Sequence, residues 1–168
     1  GAVRRIGFSH RDLRESLARI FYTDTLETKE ISHVIQKNLA LLGTLNITET
    51  LVQFPLKVSQ VPIVSQVQQK TPDGFVVINP GAAWPNKRWE PEHFGALASS
   101  IRSTYGWRSI VLWGPGEQAL ATAVVAASDG AASISPTTTI PELLALAQAC
   151  KLFISGDTGP LHLAASVG

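Results

Sequence analysis

Short apolar runs alternating with amphipathic stretches organise the second half of this chain. The run FVVIN (residues 75–79) is short, apolar and β-branched, as a strand buried on both faces requires. Pro91 follows Glu90 and opens a helix with Phe94, Leu97, Ala98 and Ile101 on one side. SIVLW (109–113) predicts a second buried strand, residues 117–128 an Ala-rich helix, and AASIS (131–135) a weaker third strand. Thr139-Ile140-Pro141-Glu142 has the form of a capping box, with Ile140, Leu143, Leu144 and Ala147 as the inward stripe of the helix behind it. KLFIS (151–155) predicts a fourth strand, and a last helix begins at Pro160. Strand–helix units repeated in this way specify an α/β fold: a parallel sheet with helices on both faces.

The first half is less regular. Val3, Ile6 and Phe8 form a short apolar start, followed by the polar stretch HRDLRES. SHVIQKNLALLGTLNI (32–47) has helical periodicity in Val34, Leu39, Leu41 and Leu42, with Gly43 near its end. Residues 60–74, QVPIVSQVQQKTPDG, hold two prolines, four glutamines and a Pro-Asp-Gly turn signal, and read as a linker or edge segment. The domain boundaries expected on this basis are 1–60, a linker at 61–74, and 75–168.

Composition removes several function classes. Apolar residues make up 45% and charged residues 16%, which fits a globular chain with a real core. A net charge of +1 gives no electrostatic case for nucleic acid. A single cysteine, Cys150, forms no disulfide framework and no metal cluster. No apolar run approaches the roughly 18 residues of a spanning helix. The start, GAVRRIGF, lacks an initiator Met and signal-peptide organisation, so a cytoplasmic origin is expected.

In open α/β sheets ligands bind beyond the carboxyl ends of the strands. Every glycine-rich or chemically loaded stretch of the second half falls on that edge. Gly81, Ala82 and Ala83 leave backbone N–H groups open to an anion, and Lys87 and Arg88 add positive charge; the same loop also reads as a tight turn with a solvated basic pair. Glu117, after Gly-Pro-Gly, either partners a helix dipole or accepts from the two hydroxyls of a ribose. Thr137-Thr138-Thr139 follow the third strand. Asp157 either caps the last helix or accepts from sugar hydroxyls, while Thr158 and Gly159 stand where free N–H groups favour a phosphate. His162 follows in the first turn, and Trp84 and Trp89 flank the basic loop. Asp-Thr-Gly is also the aspartic-protease triplet, but that family is all-β and the context here is strand–turn–helix.

PGAAWPNKRWEPEHF, LWGPGE and SGDTGPLHLAA, in this order and spacing, resemble the C-terminal nucleotide-binding half of glycosyltransferase family 9, whose best-known members are ADP-heptose:lipopolysaccharide heptosyltransferases. GDTGPLHLAA is the most specific of the three. RRIGFSHRDLRES, FYTD and HVIQKNLALLG resemble the last part of the family's N-terminal, acceptor-side domain. The resemblance implies a GT-B enzyme of two Rossmann-like domains. It implies inverting, metal-independent transfer of a heptose from ADP-heptose to the lipopolysaccharide inner core, with no cofactor beyond the nucleotide-sugar donor. It also implies work at the inner face of the inner membrane, with peripheral membrane contact allowed. Residue by residue, it puts Gly81, Ala82 and Ala83 at the diphosphate, Lys87 on the phosphate as leaving-group stabiliser, and Glu117 on the ribose. Thr138 lies beside the adenine, Asp157 on sugar hydroxyls, Thr158 and Gly159 on the phosphates, and His162 close by.

The family's catalytic Asp lies in an early glycine-rich loop that this chain does not contain. The resemblance therefore implies an internal fragment, incomplete at both ends, with donor-site residues but no base, and inactive alone; Asp12 or Glu15 would be a substitute base. A different class remains open on the sheet edge alone: a nucleotide-binding Rossmann module without transfer activity, epimerase-like or inert.

Overall fold

The chain divides into two units, Gly1–Gln53 and Phe54–Gly168, and the computed structural model describes residues 1–49 and 51–168. In the first unit, strands β1 (Ile6–Phe8) and β2 (Asp24–Leu26) pair in parallel, Gly7 opposite Thr25. Gly7 is required here, since a Cβ at that position would collide with the ring of Tyr22. Helix α1 (Val34–Ala40) is capped by His33, whose Nδ1 accepts the Ile35 N–H at 3.2 Å. The helical pattern expected through residue 47 stops being α-helical at Ala40, tightens into a 3-10 turn (Leu41–Leu45), and ends at Asn46, not at Gly43. Asn46 takes φ 59, a left-handed conformation that Asn tolerates well.

Asp12 organises the loop between β1 and β2. Its Oδ2 accepts from Ser9 Oγ at 2.8 Å and from the Thr28 N–H at 3.0 Å, and its Oδ1 accepts from Thr28 Oγ1 at 3.0 Å. The Thr28 N–H first, then the Ser9 hydroxyl, hold this carboxyl below its usual range. Both oxygens are thus engaged within the loop. A lowered native pKa makes its contribution complete above the ordinary carboxylate range and lost as pH falls through the native value. Asp12→Asn should therefore flatten the fall of melting temperature below about pH 4. An unchanged acid profile would show that these bonds do not stabilise the unit.

The second unit contains α2 (Pro62–Lys70), β3 (Phe75–Asn79), α3 (Pro91–Tyr105), β4 (Arg108–Val111), α4 (Gln118–Ala126), β5 (Ala132–Ile134), α5 (Ile140–Ala149), β6 (Leu152–Ser155) and α6 (Gly159–Ala165). The sheet is parallel throughout, in the order β5-β4-β3-β6. Strand β3 is buried along its whole length, and its alternate residues feed two cores. Val76 and Ile78 pack with Phe94, Ala98 and Ile101 of α3 and Ala121 and Val124 of α4. Phe75 and Val77 pack with Ile63 and Val67 of α2 and with Leu143 and Leu146 of α5. This is the expected α/β architecture, with helices on both faces of the sheet.

The segment expected to be a linker, 61–74, is corrected by α2. Pro62 occupies the first turn, where its missing N–H costs nothing, and Ile63 and Val67, four residues apart, bury one helical stripe. The glutamines cover its outer side and gave the segment its polar look. The capping box forms as the spacing requires: Thr139 Oγ1 accepts the Glu142 N–H and Glu142 Oε2 accepts the Thr139 N–H at 2.8 Å.

Candidate functional site

From β3 the chain winds outward to β4 and β5, then crosses back to lay β6 on the other side of β3. Loops leaving the carboxyl ends of β3 and β6 must therefore diverge, and a crevice opens between them. The crevice holds ≈ 340 Å³ and is lined by Asn79, residues 81–83, Glu117 and residues 157–160. Of the sequence-expected residues the structure thus brings together Gly81, Ala82, Ala83, Glu117, Asp157, Thr158 and Gly159. Lys87, exposed in the turn Pro85–Lys87, Thr138 in the loop after β5, and His162 on the outer side of α6 lie outside its lining. A larger groove of ≈ 430 Å³ runs between residues 58–68 and α5, but no titratable side chain lines it.

Asn79 closes the end of β3 opposite Ser155, its partner in β6. Its Nδ2 donates to Ser155 Oγ at 2.9 Å and Thr158 Oγ1 at 3.3 Å, and the two hydroxyls are 2.9 Å apart. Thr158 is the N-cap residue of α6, yet its side chain makes no capping bond, because this network holds the hydroxyl. Asp157 does not cap either. Its Oδ1 stands 3.3 Å from His162 Nε2, with both side chains largely exposed. Capping, the bland role for Asp157, is absent from the structure, and the N–H groups of the first turn of α6 have no side-chain cap.

Glu117 is likewise the N-cap residue of α4 without a capping bond. Its carboxylate turns back into the crevice, where Oε2 accepts the Gly114 N–H at 3.2 Å. Arg88 reaches the same carboxylate, Nη2 to Oε1 at 3.6 Å, while its Nε donates to the Ala82 carbonyl at 3.0 Å. The bare Cα of Gly81 supplies the remaining wall, since a Cβ there would overlap the Glu117 carboxylate. Sequence reasoning missed Asn79 and the part Arg88 plays. Asn79 carries one signal, a polar residue ending a buried strand; the Arg88–Glu117 contact joins positions separated by a helix and a strand and leaves no local pattern.

Arranged in this way, the crevice offers a carboxylate with spare lone pairs beside Gly81, together with backbone amides and the Thr158 hydroxyl. That is a donor-and-acceptor set for a ligand bearing hydroxyls and an anionic group. Among the described residues no helix is long and apolar enough to cross a membrane.

The family model for glycosyltransferase family 9 (heptosyltransferase) matches residues 1–168. The structure is similar to that of the E. coli heptosyltransferase WaaC solved with ADP, with a TM-score of 0.69 at 19% identity over 98% of this chain and 52% of that one. The same enzyme with ADP-2-deoxy-2-fluoro heptose gives 0.69 at 21% identity, over 98% of this chain and 51% of that one. A glycosyl transferase family 9 structure from Veillonella parvula DSM 2008 gives 0.71 at 20% identity, over 99% of this chain and 49% of that one. The chain spans about half the length of these solved structures. No curated protein matches it. With the family model matched over all 168 residues, and the parallel-sheet fold shared with solved GT-B type heptosyltransferases, the chain belongs to glycosyltransferase family 9.

Proposed function

We propose that residues 54–168 form the donor-binding part of a transferase that moves a heptose from ADP-heptose to the lipopolysaccharide inner core, with inversion. The observation that carries this reading is the crevice at the strand crossover, where Glu117, the loop 81–83 and residues 157–159 converge. Its support from the comparisons is that one neighbour was solved with ADP and with an ADP-linked heptose analogue. In this reading Glu117 accepts from the ribose hydroxyls and Thr138 lies beside the adenine. Asp157, with His162 beside it, accepts from the hydroxyls of the sugar. The amides of residues 81–83, the Thr158 hydroxyl and the Gly159 N–H receive the diphosphate, and Lys87 reaches it from the neighbouring turn.

The chemistry follows from where charge develops. As the acceptor oxygen bonds to the anomeric carbon from the opposite face, the carbon–oxygen bond to the diphosphate breaks and its electron pair leaves with ADP. Fixed amides meet that growing negative charge without reorganising, and the Lys87 ammonium swings in from its turn to join them. The acceptor proton passes to a carboxylate outside this crevice. In this reading the diphosphate is met by Lys87 and backbone donors, and transfer is metal-independent. Calorimetric titration of the chain with ADP, an ADP-linked heptose, UDP-glucose and NAD tests the reading. The expected order is the ADP-linked sugar tighter than ADP, and both tighter than the other two. Equal binding of ADP and NAD with no gain from the sugar would indicate a simple nucleotide module. No binding of ADP would refute the donor site.

A further inference from the structure

Two adjacent cations, Lys87 and Arg88, follow the loop 81–83, and the structure treats them differently. Both are exposed, but the Arg88 guanidinium reaches two acceptors on different loops, the Ala82 carbonyl and the Glu117 carboxylate. We infer that Arg88 is a positioning residue, which fixes Glu117 so that the site reads the hydroxyls of a ribose; the inference rests on the donor-site reading above.

The geometry leaves little else for Arg88 to do. Glu117 is gripped from three sides, by the Arg88 Nη2 at 3.6 Å, by the Gly114 N–H at 3.2 Å and by the bare Cα of Gly81. Oε2 accepts the Gly114 N–H and Oε1 is held only by the charge of the guanidinium, so both oxygens keep lone pairs for incoming hydroxyls. Without the guanidinium, Glu117 can rotate about its side-chain torsions, and a pair of hydroxyls would have to order it on binding. Only an arginine can do this from here. Its planar fork presents Nε to one loop and Nη2 to the other, while a lysine ammonium is a point charge on a flexible stem without that fixed geometry. The Nε bond to the Ala82 carbonyl fixes the guanidinium itself, so that its Nη2 is presented to Glu117 in one orientation.

Titration of ADP and 2′-deoxy-ADP into the chain and its variants tests the inference. The unaltered chain should prefer ADP by about ten-fold, the effect of one hydroxyl hydrogen bond to a carboxylate. Arg88→Gln should reduce that preference to about two-fold and leave 2′-deoxy-ADP binding nearly unchanged. Arg88→Lys, which keeps the charge, should not restore it. In a Glu117→Gln background, Arg88→Gln should have no further effect on the preference. If Arg88→Gln weakens both nucleotides equally, or if Arg88→Lys restores full discrimination, the residue acts as a charge on the phosphates and the inference fails while the donor site stands. If the unaltered chain binds no ADP, or does not distinguish it from 2′-deoxy-ADP, the functional reading fails and this inference with it.

Discussion

Gly95→Val is expected to lower the stability of the second unit by about 2–3 kcal/mol, the upper range for forcing extra atoms into a packed interface. Gly95 lies within α3, where a glycine ordinarily weakens the helix, so a larger residue would by propensity alone gain a few tenths of a kcal/mol or more. Packing reverses that sign. A Cβ at Gly95 would lie 2.5 Å from the Ala127 carbonyl oxygen and 2.6 Å from the Ala127 carbonyl carbon and Cβ, and backbone cannot swing aside as a side-chain tip does. One turn on, Ser99 Oγ donates to the Ser128 carbonyl at 2.8 Å, so α3 is held against the end of α4 at two successive points. Thermal melting checks this, with Gly95→Ala expected to fall between the parent and the valine variant. A melting temperature at or above that of the parent would mean that the two helices part at little cost.

The second large effect concerns the ligand. Gly81→Val should weaken ADP binding by about 100-fold, which corresponds to the loss of roughly two charge-assisted contacts. The added side chain occupies the space of the Glu117 carboxylate, which must then leave both the Gly114 N–H and Arg88. Gly81→Ala displaces a flexible carboxylate by less and should cost less. The fold should survive, because Gly81 stands beyond β3 and outside both hydrophobic clusters. ADP affinity alongside the melting temperature separates the two cases. Undiminished affinity in the valine variant would show that Glu117 does not contact the nucleotide.

How much of this molecule could be read along the chain depended on whether a residue's partners were near in sequence. FVVIN was legible because a strand buried on both faces leaves no polar alternation to mistake. The Thr139–Glu142 capping box was legible because both partners lie within one turn. Strand β2 was not, since Asp24-Thr25-Leu26 is short, largely polar and paired only on one side. Helix α2 was hidden by the glutamines around Ile63 and Val67, which are buried only because a sheet lies beneath them. At the crevice the glycine-rich loops could be found from strand ends alone. Which side chains face into it could not: Asn79 meets Ser155 and Thr158 only after β6 has joined β3, and Arg88 meets Glu117 across an intervening helix and strand.

The crossover that opens the crevice also sets when it can exist. Strands β3, β4 and β5 join to neighbours in sequence order, but the Asn79–Ser155 contact closes a separation of 76 residues. Such closures come late, because their entropy is lost before distant contacts return any stability. The pocket walls are therefore expected to meet late in folding, which hydrogen exchange pulsed during refolding would check. A nucleotide can slow the opening of the finished sheet, as a ligand of the native state does, but it has no surface to grip while the first three strands assemble.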